Sequence, residues 1–159
     1  GERTVVNKDL MRTENIRTQE IIPGRAMLIE IETHEEKEDE PRRLRTHEPG
    51  VVRLLGVYAP NAPAENALFW KTLREFFEQN PHLKPDIFGG DMNVVEEAID
   101  RLPSHKDSEE AVMELDLLKS HLGMIDGWRH TFPTTRDYTF NAIPHRPIPH
   151  HAGNIRPIL

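Results

Sequence analysis

Leu54-Leu55-Gly56-Val57-Tyr58-Ala59-Pro60-Asn61 and Asp86-Ile87-Phe88-Gly89-Gly90-Asp91-Met92-Asn93 are the two stretches whose reading decides the fold. The first belongs to residues 51–58, the strongest strand signal in the chain, with Val51, Val52, Leu54, Leu55 and Val57. Pro60 and Pro63 end it in a rigid turn, because proline fixes φ and removes a backbone donor. The second reads as a short strand, and its paired glycines predict a bend or a close approach of another backbone. Between the two lies a helix. Leu68, Phe69, Leu73, Phe76 and Phe77 fall on one face, Lys71, Arg74, Glu75 and Glu78 on the other, and Asn80-Pro81 stops it.

Upstream, Pro23-Gly24 signals a turn. Ala26 and Leu28 then alternate with Met27, Ile29 and Ile31 in a strand buried on both faces. This strand and residues 51–58 are expected to form a β-hairpin with a long insertion at its tip. Val5-Val6 reads as a short strand, and residues 7–20 as turn and loop. Downstream, residues 108–122 read as a second helix. Asp107 and Glu110 are spaced like a capping box, and Gly123 sits where a left-handed C-terminal cap belongs. After Phe132 the composition shifts: five of the 13 prolines lie in residues 133–159. Only Tyr138-Thr139-Phe140 looks like a strand there, and irregular structure is expected from Pro144 onward. There are no internal repeats, and the element order is mixed α/β.

The chain has 159 residues, 36% apolar and 30% charged, which fits one soluble globular domain with its own core. No apolar run approaches the roughly 20 residues that span a bilayer. No signal-peptide core is visible at residues 1–10. Zero cysteines exclude disulfides, thiol nucleophiles and cysteine-based metal sites. The expectation is therefore an intracellular protein, nuclear or cytoplasmic. Net charge is −7, with 20 basic and 27 acidic residues, so bulk electrostatics do not draw it to nucleic acid; a local basic patch is still compatible. Much of the acid lies in Glu35, Glu36, Glu38, Asp39 and Glu40, followed by Arg42, Arg43 and Arg45, a block that reads as a solvated, self-compensating loop.

Asp91-Met92-Asn93 is the tripeptide with the most chemistry. Residues two apart on a strand share a face, so a carboxylate and an amide project together. The carboxylate can accept a proton from water or hold a hard cation, and the amide can orient a phosphoryl oxygen. The same tripeptide is also an ordinary turn signal. Tyr58 closes the other strand, either as a half-buried tyrosine with a hydrated hydroxyl or as a phenol aimed at a substrate phosphate. Trp70 reads as packing. His145, His150 and His151 form a loose histidine group without cysteine support, a weak transition-metal signal.

In combination these residues resemble the endonuclease/exonuclease/phosphatase superfamily, where a strand ending in Tyr-x-Pro precedes a helix and then Gly-Asp-x-Asn. Asp126-Gly127-Trp128-Arg129, Pro133 and Tyr138-Thr139-Phe140 resemble the next block. Asn7-Lys8, Ile21-Ile22-Pro23-Gly24-Arg25-Ala26 and the stretch from Asn66 to Trp70 look closest to the apurinic-type endonuclease domains of non-LTR retroelements. The resemblance runs over residues 5–140.

The resemblance implies a four-layer α/β sandwich of the DNase I-like type and Mg²⁺- or Mn²⁺-dependent hydrolysis of a phosphodiester, with DNA as partner. It gives Asp91 the role of orienting or deprotonating the attacking water, with a share in metal binding. Asn93 then binds the scissile phosphate, and Tyr58 stabilises charge on the phosphate or leaving oxygen. Trp128 lines the pocket for a displaced sugar or base, and Arg101, with His105 and Lys106, sits in a loop that faces substrate. The family's metal-binding Glu and its Asp-His pair have no counterpart in the sequence, so the sandwich is expected to be incomplete at both ends and its catalysis impaired in this chain alone. Its edges should then be exposed and its stability marginal. Residues 1–143 read as the partial domain and 144–159 as a Pro/His-rich tail. Two alternatives stand beside the endonuclease: a non-catalytic remnant serving as a binding module, and a phosphodiesterase or phosphatase acting on a non-DNA substrate.

Overall fold

The computed structural model describes residues 15–32, 50–100 and 106–136. Among these residues four strands form one sheet: β1 (Ile16–Ile22), β2 (Ala26–Glu32), β3 (Val51–Tyr58) and β4 (Ile87–Asp91), in that spatial order. The first three pair antiparallel, whereas β4 runs parallel to β3. A parallel neighbour needs a crossover connection, and α1 (Pro63–Gln79) supplies it. Two further helices follow, α2 (Glu109–Leu122) and the five-residue α3 (Gly127–Thr131). No helix among the described residues is long and apolar enough to cross a membrane.

The pairing of β2 with β3 is the expected hairpin, and its connection falls outside the described residues. So do the strands expected at residues 5–6 and 138–140, and the tail. β1 is a correction to the loop reading of residues 7–20. Its sequence, Ile-Arg-Thr-Gln-Glu-Ile-Ile, carries four exposed polar side chains; among the described residues it pairs with β2 alone, and a polar strand at a sheet edge has no apolar alternation to reveal it. The turn at Pro23-Gly24 is as expected. Gly24 has φ +66°, and its N–H donates to the Glu20 side chain at 2.5 Å.

Ala26 and Leu28 of β2, Leu55 and Val57 of β3 and Phe88 of β4 lie on the face that meets α1. There Phe69, Trp70, Leu73 and Phe77 complete the core, with Ala111, Leu115 and Leu118 of α2 packed behind. The Trp70 ring stands edge-on to Phe69 at 4.7 Å and to Phe88 at 6.0 Å. Leu68 is a correction: it is 63% exposed, one residue off the buried stripe, which is carried by Asn66, Ala67, Phe69, Trp70, Leu73 and Phe77. Arg74 ties the two long helices together, donating to Glu78 at 2.9 Å and to Glu114 at 3.2 Å. These partners make its guanidinium hold its proton more tightly than usual.

The opposite face of the sheet is also apolar. Ile29 pairs with Leu54 and Leu54 with Ile87, while Ile31 pairs with Val52. Ile29 and Ile31 are 5% and 9% exposed. A third correction concerns α2. Gly123, φ +73°, caps its C-terminus as expected. The Asp107–Glu110 box does not form, because helix entry is at Ser108 and the Asp107 carboxylate accepts from the Val95 N–H at 2.8 Å instead.

Candidate active site

Parallel pairing sets Tyr58 beside Asp91 as the last matched pair of β3 and β4. The alternation that buries Val57 turns both onto the face away from α1. Tyr58 is 41% exposed and Asp91 is exposed. The strands approach this closely because residue 90 is glycine: a Cβ there would lie 2.0 Å from the Val57 carbonyl oxygen, and φ is +139°. That is the close backbone approach expected of the paired glycines, and it belongs to Gly90; at Gly89 a Cβ would meet nothing within 4 Å.

Beyond the strand ends, the two chains remain laced together. The Ala59 N–H donates to the Asp91 carbonyl at 2.8 Å, and the Asn93 side-chain amide donates to the Ala59 carbonyl at 2.7 Å. Asn93 adopts the left-handed region, φ +49°, which asparagine tolerates, and its N–H reaches the Asp91 carboxylate at 3.2 Å. Asp91 and Asn93 thus come together in one tight turn next to Tyr58. One amide N–H of Asn93 is engaged at Ala59, and the NH₂ group has a second to offer a ligand.

Two contributors escaped the sequence reading of the site. Arg25 immediately precedes β2, and its guanidinium carbon lies 5.4 Å from the centre of the Tyr58 ring. It donates to the Tyr58 carbonyl at 3.2 Å, and its own carbonyl accepts the Tyr58 N–H at 2.8 Å. Only the pairing of β2 with β3 brings these residues together, 33 positions apart in sequence. Asn66, in the first turns of α1, donates from its amide to the Pro60 carbonyl at 2.8 Å and to the Met92 carbonyl at 2.9 Å. The signal for it was an asparagine on the apolar stripe of a helix, one turn before a tryptophan.

After Asn93 the chain crosses to the later helices. Glu96 pairs with Lys119 of α2, and Asp100 with Arg129 of α3. A cavity of about 630 Å³ lies between this segment and the two helices, with Met92, Glu97, Lys119, Asp126 and His130 in its wall. A smaller cleft, about 190 Å³, opens beside Asn61, Asn93 and Ser108. Asp126 caps α3 by accepting the Arg129 N–H at 2.8 Å. Trp128 on that helix is 40% exposed and packs against Phe132, with 4.4 Å between ring centres and the planes tilted by 43°. Arg101 and His105 lie outside the described residues, as do His145, His150 and His151. Among the described residues no group of three or more His, Asp or Glu side chains could hold a metal ion. Asp91 is a single exposed carboxylate, a donor set that suits Mg²⁺ arriving with a substrate phosphate and water more than a preformed cage.

No family model matches the chain. Over 134 residues, 83% of its length, it is 31% identical to the transposon TX1 uncharacterized 149 kDa protein of Xenopus laevis. The chain is therefore related to a protein encoded by a transposon, of whose length it spans 9%.

Proposed function

We propose that this chain belongs to a retroelement-type endonuclease that hydrolyses a DNA phosphodiester with the help of Mg²⁺ or Mn²⁺. The observation that carries the reading is the lateral pairing of Tyr58 with Asp91, with Asn93 held in the turn that follows. A carboxylate, an amide and a phenol thus stand on neighbouring residues at one sheet end. Similarity to a transposon-encoded protein supports the same reading. The doubly apolar sheet supports the sandwich: Ile29, Ile31, Val52, Leu54 and Ile87 make a face that suits a second packed layer.

In this mechanism the Asp91 carboxylate accepts a hydrogen bond from water and takes its proton as the oxygen attacks phosphorus. The phosphorus–oxygen bond to the leaving sugar oxygen then breaks, and that oxygen takes a proton from solvent. Negative charge builds on the non-bridging oxygens, and the free N–H of Asn93 and the Tyr58 hydroxyl donate to them. Fixed donors of this kind lower the barrier because they need no reorganisation during the reaction. Arg25 brings a positive charge to the same end of the sheet, where a phosphate would dock. The metal ion, held in part by Asp91, would supply Lewis-acid stabilisation of the phosphate. Trp128, with its exposed ring, would receive a displaced sugar or base.

Nicking of supercoiled plasmid by the purified chain tests the proposal. Slow conversion to the open circle in Mg²⁺, absent in EDTA and lowered further by Asp91→Ala, is the expected result, since the metal-binding Glu and the Asp-His pair have no counterpart here. DNA binding without metal-dependent nicking would favour the non-catalytic binding module instead.

A further inference from the structure

Asn66 is 1% exposed, and every polar group of its amide that points into the protein is used. Its Nδ2 bridges the Pro60 and Met92 carbonyls, and its Oδ1 accepts from the Trp70 indole N–H at 2.6 Å. The two carbonyls belong to different loops. Pro60 follows Tyr58 by two residues, and Met92 stands between Asp91 and Asn93. A buried amide that is fully paired resists rotation, because any other orientation leaves a donor or acceptor without a partner in a low-dielectric surrounding. Trp70 fixes which end of the amide is the donor. It is itself fully buried, held edge-on between Phe69 and Phe88. The clamp therefore rests on the rigid core and grips both loops from beneath, while Asn93 laces the same loops from above through Ala59.

We propose that Asn66, oriented by Trp70, is the positioning residue that sets the spacing between Tyr58 and the Asp91–Asn93 turn. The inference rests on the reading of Tyr58, Asp91 and Asn93 as the reacting groups, but the clamp has a readout independent of activity. Asn66→Asp keeps the volume and the acceptor for Trp70 and removes both donors. Trp70→Phe keeps an aromatic ring in the core and removes the N–H that aims the amide, together with part of the buried ring volume.

The experiment is amide hydrogen exchange by NMR on the full chain and both variants, beside plasmid nicking with kcat and KM separated. In each variant, exchange at Ala59 and Asn93 should accelerate roughly tenfold or more, while amides within β2 and β3 keep their rates. Where the chain nicks DNA, kcat should fall about tenfold or more with KM little changed, the mark of misplaced groups and not of lost binding. If Asn66→Asp does not fold, Trp70→Phe alone decides. Unchanged exchange at Ala59 and Asn93 overturns the clamp, and so does acceleration spread evenly over the sheet, which would mean a general loss of stability. If the wild-type chain does not nick DNA but exchange changes locally, the clamp stands and the hydrolase reading falls.

Discussion

The guanidinium of Arg25 lies over the ring of Tyr58, 5.4 Å from its centre, while the backbones of the two residues exchange a hydrogen bond at 2.8 Å. The contact fixes a positive charge beside the phenol at the end of the sheet where Asp91 is also exposed. Arg25→Ala should weaken DNA binding about tenfold at moderate ionic strength and lower the salt dependence of binding by about one unit of slope. Arg25→Lys should recover only part of this, since lysine keeps the charge and not the forked donors of the planar guanidinium. Fluorescence anisotropy across a salt series checks both.

Gly90 permits the close packing of β4 against β3. In Gly90→Ala the new Cβ would meet the Val57 backbone at 2.0 Å from a φ of +139°, so the strand must shift. A loss of about 2 kcal/mol or more is expected, with loss of the Tyr58–Asp91 register. Gly89→Ala is the control, because the added methyl meets nothing within 4 Å; its cost should stay below about 1 kcal/mol. Chemical denaturation of the two variants separates them.

Both faces of the sheet bury side chains. Leu28 faces α1 and is 0% exposed, whereas Ile29 faces the other way and is 5% exposed. Ile29→Asp should therefore destabilise as severely as Leu28→Asp, by about 4 kcal/mol or more, since either buries an unpaired carboxylate. A mild effect at Ile29 would mean that this face is open to water and would remove the main support for a sandwich. Thermal melts decide it.

On α1 the buried stripe can be checked directly. Leu73 is fully buried and Leu68 is 63% exposed. Leu73→Ala should cost about 2–5 kcal/mol and Leu68→Ala less than about 0.5 kcal/mol. Equal effects in denaturant titrations would contradict the helix orientation.

The strongly apolar segments were legible in the sequence because their patterns have one physical solution. β3 and the strand before it read as a hairpin, and α1 and α2 are where periodicity puts them. The Gly89-Gly90 pair announced a close approach that the structure assigns to one of its members. β1 was not legible, since Arg17, Thr18, Gln19 and Glu20 give a strand its hydrogen bonds without its apolar signature. Leu68 misled because a helical face is wide and one leucine at its margin reads as core. The Asp107–Glu110 pair misled because Asp107 found a better donor in Val95, brought from 12 residues away. At the candidate site, local pattern placed Tyr58, Asp91 and Asn93 at strand ends, and only the family resemblance gave them roles. Their neighbours Arg25 and Asn66 could not be named, because only the sheet register and the helix crossover deliver them.

The most direct test of the central claim is a double-mutant cycle on the nicking rate, using Tyr58→Phe, Asp91→Asn and the two combined. If the phenol and the carboxylate act on one phosphate, each single change should lower kcat by about 10²-fold or more, and the double variant should be scarcely worse than the slower single one. Strictly multiplicative losses, or Mg²⁺-dependent nicking that neither substitution reduces, would contradict the account.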